Sequence, residues 1–279
     1  MAGALSAQDA ERLRAFERRG HDALASSYYE FFTPVTALAI EPLLEAVRLT
    51  AGMHLLDVAT GPGAVTAAAS MRGARPVGID LSPRMVELAR RLHPGIEFHE
   101  ADVERLPFSN ETFDAVVGCF ALGHLPCPEA AVAECLRTLK PGGRIAFAWW
   151  DDPSRQRIQG LFREAVAEVG IAPPVDVPAG HSSLRFCDTG EFRRLLAGAG
   201  LADVEVVNHT AAHLVKSADA LWHGGLNSMV LTGAAIRAQS EETQETVRRA
   251  FVRRALAYQG ESGLKIPIAF NIGAGRKPH

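Results

Sequence analysis

Residues 54–66, reading His-Leu-Leu-Asp-Val-Ala-Thr-Gly-Pro-Gly-Ala-Val-Thr, constrain the fold of this chain more than any other stretch. Leu55, Leu56 and Val58 predict a buried strand, and Asp57 interrupts them with a charge that a core strand would not choose. Thr60 to Gly63 then breaks the chain sharply, and residues 64–71 offer a helix. A strand, a glycine-rich turn and a helix in that order build a ligand cradle. Glycines without a Cβ let the backbone approach a ligand, and the following helix brings unpaired N–H groups to its N-terminus. Many nucleotide-type cofactors fit such a cradle, so the residues that follow must choose among them.

With 279 residues the chain accommodates one large α/β domain with elaborations, or one domain and a small cap. A net charge of −3, with 47% hydrophobic and 22% charged residues, gives no bias toward nucleic acid or membrane. The first sixteen residues carry Asp9, Glu11, Arg12 and Arg14 in an amphipathic pattern and contain no apolar leader. No later apolar run is long enough to span a bilayer, so a cytoplasmic protein is expected. Cys119, Cys127, Cys135 and Cys187 form no Cys-x-x-Cys pair and have no histidine at metal-ligand spacing. Free thiols are expected, and no metal site.

Along the chain, residues 7–25 and 36–49 read as helices, separated by the aromatic cluster Tyr28, Tyr29, Phe31 and Phe32. A second strand, 76–81, contains the acidic Asp80 near its end; Ser82 and Pro83 then open a helix carrying Met85, Leu88, Ala89 and Leu92. Strand 96–99 leads into Glu100-Ala101-Asp102-Val103, and the valine-rich strand 113–120 has the pattern of one covered on both faces. Helix 128–139 is stopped by Lys140-Pro141-Gly142-Gly143, and strand 144–150 ends in Trp149 and Trp150. Further helices are expected at 156–169, 189–201, 217–231 and 240–258, with strands at 204–208 and 265–272. The pattern predicts a doubly wound, mostly parallel α/β sheet of seven strands. Around the core at 51–150 lie a helical cap at 1–50, a lid insertion at 151–188 and a C-terminal part at 189–279, with a helical insertion at about 210–262. In an open α/β sheet such insertions lie over the carboxyl ends of the strands and build the substrate pocket.

This order of motifs resembles the class I S-adenosylmethionine-dependent methyltransferases, in particular the small-molecule branch similar to the quinone-biosynthesis enzymes. The resemblance rests on Asp57 to Gly63, on Asp80, on Asp102, and on Phe113-Asp114 to Phe120 followed by Leu139-Lys140-Pro141-Gly142-Gly143. It implies that Gly61 and Gly63 meet the methionine part of the cofactor and that Asp57 orients its ammonium group. Asp80 would accept from the ribose hydroxyls and Asp102 from the adenine amino group, with Val103 donating to the ring and Leu81 and Met85 flanking the base. Cys119 or Phe120 would line the methyl-donor end. Ala59 stands where the family more often has its first glycine. Tyr28 and Tyr29 resemble a Tyr-Asp segment that relatives place over the cofactor; Tyr29 is also a catalytic candidate.

Methyl transfer from a sulfonium needs alignment in a dry pocket, and a base only if the acceptor must lose a proton. His124, in Phe120-Ala121-Leu122-Gly123-His124-Leu125-Pro126, is the candidate base or acceptor orienter. Competing readings have specific weaknesses. A dinucleotide site would want a small residue at position 66, where Thr stands, and would leave Asp102 idle. Pro126-Cys127-Pro128 superficially matches the nucleophile of cytosine-carbon methyltransferases, yet the chain lacks a basic face and a target-recognition domain. The expected partner is a small, partly apolar molecule methylated on oxygen or carbon ahead of nitrogen, and a homo-oligomer is compatible with the sequence. The alternative is a cofactor-binding fold acting as a cyclase or regulatory module without methyl transfer.

Overall fold

The structure, a computed structural model, describes residues 5–172 and 182–279; residues 173–181, within the expected lid insertion, lie outside the described residues. The described residues form eight strands: β1 (His54–Val58), β2 (Arg75–Asp80), β3 (Glu97–Glu100), β4 (Phe113–Cys119), β5 (Leu139–Trp150), β6 (Ala202–Val215), the two-residue β7 (Gln259–Gly260) and β8 (Gly263–Arg276). They form one sheet in the order β3-β2-β1-β4-β5-β8-β6, with β7 paired only to β8. The pairings β3 to β2, β2 to β1, β1 to β4 and β4 to β5 are parallel, and β8 runs antiparallel to both β5 and β6. The strand order reverses between β1 and β4, so the carboxyl ends of these two strands flank the crevice where doubly wound sheets hold ligands.

The centre of the sheet is apolar on both faces, as buried parallel strands require. Leu55, Leu56 and Val58 of β1, Val116 and Val117 of β4, and Ile145 and Phe147 of β5 are fully buried in one continuous core. The interstrand helices Ala64–Met71, Pro83–Leu92 and Pro128–Thr138 follow the expected pattern. The Ser82 hydroxyl caps the second of them by accepting from the Met85 N–H at 3.1 Å, with Pro83 at its first position.

Several element bounds differ from the sequence reading for identifiable reasons. Helix α1 (Ala7–Phe31) runs on through Tyr28 and Phe31 instead of ending near residue 25, because the aromatic cluster packs on the core while keeping helical bonding, with the Phe32 N–H donating to the Tyr28 carbonyl. The second helix shortens to Ile40–Ala46 behind short turns at Thr33–Thr36 and Ala37–Ala39. Strand β5 begins at Leu139, since the Gly142 N–H donates to the Lys277 carbonyl and the Lys277 N–H to the Gly143 carbonyl, drawing the expected stop into pairing with the chain's end. Helix 217–231 is two helices, Ala218–Leu226 and Val230–Arg237. Met229 is extended between them, and the buried Ser228 donates its hydroxyl to the Ser27 carbonyl of α1. Among the described residues no helix is long and apolar enough to cross a membrane.

Gly118 of β4 is one place where the sheet tolerates no side chain: a Cβ there would stand 2.5 Å from Phe147 Cδ1 and 3.1 Å from Val58 Cγ2. Gly118→Ala is expected to lower unfolding stability by about 1–3 kcal/mol through overpacking. Urea denaturation would measure the loss, and an unchanged midpoint would contradict this account of the strand.

Candidate functional site

The chain leaves β1 through a turn that only a narrow set of residues can form. Ala59, Gly61 and Gly63 all have positive φ, at 53°, 53° and 86°. Gly63 cannot carry a side chain, because a Cβ would meet Phe98 Cζ at 2.8 Å; at Gly61 the space is open, toward the cleft that it lines. Ala59 accepts a conformation costing an L-residue about 1–2 kcal/mol, which explains why glycine suits that position. The turn is tied down from below. The Thr60 N–H donates to the Ile79 carbonyl at 2.8 Å, and Asp57 Oδ2 accepts from the Thr60 and Thr66 hydroxyls at 2.6 and 2.5 Å. Asp57 is fully buried and its Oδ1 has no partner among the described residues. Burial pushes this carboxyl up to about 6, against the opposing pull of the Thr60 and Thr66 hydrogen bonds.

Above the turn lies a cleft enclosing about 840 Å³, its open mouth included. Asp80 fixes its shape: Oδ2 accepts the Gly61 N–H at 2.8 Å and Oδ1 the Ser82 N–H at 2.9 Å, so one carboxylate bridges the turn after β1 and the helix after β2. Burial raises the Asp80 carboxyl above its usual range, opposed by the Ser82 N–H, by nearby His21 and by the Gly61 N–H. The predicted residues Tyr28, Ala59, Gly61, Asp80, Leu81, Met85, Asp102, Val103, Cys119, Phe120 and His124 all line this cleft. Asp57 and Gly63 do not; they support the turn from beneath. Tyr29, one residue past Tyr28 and therefore turned about the helix axis, is 39% exposed and is not among the lining residues. Cys127 is also exposed and outside the cleft, and its N–H donates to Glu104 Oε1.

The floor at the end of β4 is aromatic and strained. Phe120 has a φ of 58°, and its ring stacks on Trp150 with centroids 3.6 Å apart. Trp149 packs against Gly123, where a Cβ would fall 2.0 Å from the indole, and its ring meets His124 edge-on at 5.7 Å. Neither tryptophan lines the cleft itself.

Helix α1 makes the roof. Arg14, Glu17, His21 and Tyr28, spaced three, four and seven residues apart, form one stripe along it. Arg14 Nε lies 2.8 Å from Asp102 Oδ2, as an ion pair without hydrogen-bond alignment, and Arg14 Nη2 donates to Glu104 Oε2 at 2.7 Å. Asp102 Oδ1 accepts the Glu104 N–H at 2.9 Å. Glu17 Oε2 lies 3.1 Å from His124 Nδ1 and 3.4 Å from His21 Nε2. Burial works against ionised Glu17, yet the two imidazoles outweigh it and hold the carboxyl down at about 2.

A methyltransferase-domain family profile matches residues 56–147, which run from β1 into β5. The demethylmenaquinone methyltransferase of Clavibacter sepedonicus is 34% identical over 177 residues, covering 60% of this chain and 72% of that protein. The chain belongs to the class I S-adenosylmethionine-dependent methyltransferases. The phthiotriol/phenolphthiotriol dimycocerosates methyltransferase of Mycobacterium leprae is 37% identical over 138 residues, 43% of this chain and 51% of that protein. The Haemonchus contortus phosphoethanolamine N-methyltransferase 2, solved with S-adenosyl-L-methionine, shares the fold with a TM-score of 0.53 at 18% identity, covering 87% of this chain and 53% of that one.

The methyltransferase cleft suits its cofactor on structural grounds. Gly61 offers backbone at an open surface, and each Asp80 oxygen, holding one N–H, keeps acceptor capacity, while the orphaned Asp57 Oδ1 lies buried beneath the turn. Burial pushes the Tyr28 phenol and the Cys119 thiol above their ordinary ranges, so neither is an anionic base near neutrality. Sequence reading missed Arg14, Glu17 and His21, although their helical spacing with Tyr28 was the signal available.

Asp57 gives a pH signature. Its folded pKa of about 6 lies above the unfolded value of about 3.9, so the native state holds the extra proton, and this stabilisation is lost as pH rises from about 4 through 6. Asp57→Asn removes that loss. The variant is expected to gain on the order of 2–3 kcal/mol relative to wild type between pH 4 and 7, read as the change in their urea stability difference. Parallel pH curves would show that Asp57 does not titrate in this window.

Proposed function

We propose that this small-molecule methyltransferase acts on an acceptor that presents an ionisable oxygen on an apolar frame, with the methyl group going to that oxygen or to a carbon it activates. The observation that supports this reading is the pairing of His124 with buried Glu17 beside the apolar Phe120, Ala121 and Leu125. An amine can attack through its neutral lone pair and shed a proton afterwards; a phenol, enol or carbon acid gains most from losing it beforehand. The quinol form of the demethylmenaquinone in the name of the Clavibacter relative is a candidate of this class.

S-adenosylmethionine, when bound, supplies a methyl group on a sulfonium, whose positive charge disappears as the methyl leaves. Asp80 is the candidate for the ribose hydroxyls and Asp102 with Val103 for the base, between Leu81 and Met85. The backbone of Gly61 is the candidate for the amino-acid end, which Asp57, buried beneath the turn, would reach through water. Tyr28, Cys119 and Phe120 wall the donor end and exclude water. His124, with Nδ1 against Glu17, turns Nε2 to the acceptor, where it orients it or accepts its proton.

Two substitutions test these roles. Asp80→Ala is expected to weaken S-adenosylhomocysteine binding about 10- to 100-fold by removing a charged acceptor; calorimetry showing unchanged affinity would overturn the ribose assignment. His124→Ala is expected to lower turnover about 100-fold or more while cofactor affinity stays within about threefold. Turnover is followed as S-adenosylhomocysteine formed with phenol or quinol acceptors, and near-normal rates would remove His124 from the chemistry. Formation of S-adenosylhomocysteine with such an acceptor also separates methyl transfer from a cyclase or binding role.

A further inference from the structure

The Glu17, His21 and His124 side chains converge on a point, and hydrogen bonding alone does not require such convergence. Both imidazoles address the same carboxylate oxygen, Oε2, from Nδ1 of His124 at 3.1 Å and Nε2 of His21 at 3.4 Å, and the three ligating atoms all lie within 4.8 Å of one another. Ligands held about 2.0–2.2 Å from a metal at tetrahedral or octahedral angles stand roughly 3–3.5 Å apart, so the two carboxylate-to-imidazole distances already match a coordination sphere. Only the imidazoles would need to draw together. The rings meet edge-on with centroids 5.2 Å apart.

We propose that Glu17, His21 and His124 bind one divalent transition-metal ion that receives the acceptor's oxygen. Two neutral imidazoles and one carboxylate form the donor set that selects zinc, iron(II) or cobalt(II), and they disfavour magnesium and calcium, which take oxygen ligands. Three protein ligands leave at least one position free, the arrangement of a catalytic metal site rather than a structural one. All three residues line the cleft, so the free position faces the space where cofactor and acceptor would meet. The Asp22 carboxylate, next to His21 on α1, and Asp80 at the end of β2 face this corner, while the Arg14 and Arg18 guanidiniums of the same cleft are paired with Asp102, Glu104 and Glu100.

The site rests on the reading that the acceptor meets His124, and it changes how that meeting works. The metal is a Lewis acid without redox function: the acceptor's O–H gives its proton to water on coordination, the oxyanion stays bound, and His124 is a ligand. Without a metal, His124 would take the proton itself. The ion would also join α1 to the turn Leu122–His124, closing the roof onto the sheet from opposite sides. The four-residue spacing of Glu17 and His21 is local, but the third ligand, His124, stands 107 residues from Glu17, where no local pattern could signal it.

The test uses the tag-free protein, stripped with chelator and titrated with Zn²⁺ and, separately, Co²⁺. One ion per chain is expected, with a dissociation constant below about 1 µM, and Co²⁺ should develop visible absorption on binding. Glu17→Gln and His21→Ala should each weaken binding at least about 100-fold while the variants still bind S-adenosylhomocysteine, which shows the cleft intact. Millimolar Mg²⁺ should not compete. Absence of a stoichiometric site, or a site indifferent to both substitutions, overturns the metal. If His124→Ala still abolishes turnover in that case, the base reading survives alone. A bound ion whose removal leaves methyl transfer unchanged overturns its role toward the acceptor.

Discussion

The cradle depends on one buried carboxylate. Asp57 sits where the central strand should be apolar, and burying a charge there would be costly unless it were hydrogen-bonded. The Thr60 and Thr66 hydroxyls supply those bonds to a single oxygen, and in doing so they join the strand's end to the turn and the turn to the first helical residues. With the turn closed, Ala59, Gly61 and Gly63 are held in left-handed conformations that a free loop would not keep. Gly61 then meets Asp80, and Asp80 meets Ser82, so positioning passes outward from β1 to β2 and the next helix. The remaining Asp57 oxygen has no partner among the described residues and lies buried beneath the turn that Gly61 opens to the cleft.

The roof is organised differently from the floor. The floor is made of backbone turns and aromatic stacking, in which Phe120 on Trp150 and Gly123 under Trp149 fix where β4 releases the chain. The roof is a single helix whose inner stripe is polar, and its residues meet partners at two strand ends: Arg18 with Glu100 and Arg14 with Asp102 and Glu104 at the end of β3, and Glu17 with His124 past the end of β4. The cleft is therefore rigid below and held above by charge.

Much of the floor was legible in the sequence because its determinants are local. A strand of known polarity followed by Gly-Pro-Gly, an aspartate ending the next strand and another just after the third can each be placed within a few residues, and the parallel sheet brings them to one edge. The roof was not legible in the same way. Residues 7–25 read as a charged helix, and nothing in that charge says which side faces a cleft until the sheet is built. Tyr29 shows the cost of a one-residue ambiguity, since Tyr28 lines the cleft and its neighbour faces away. Lys140 to Gly143 carried a true stop signal for the helix before it, but the pairing of Gly142 and Gly143 with Lys277 is made by residues far apart in the chain, and no local pattern announces it.

Helix α1 is attached by two kinds of force at its two ends. Its first half is held by ion pairs at the rim, whereas its second half is held by apolar contact, with Ala25 on Met85 and Leu88, Tyr28 stacked on Phe32, and Phe31 pressed against Gly224. Added salt screens exposed ion pairs, and salts excluded from protein surfaces strengthen apolar burial. With such salts the same helix thus answers in opposite senses along its length, loosening at the exposed Arg18–Glu100 pair and tightening at Tyr28.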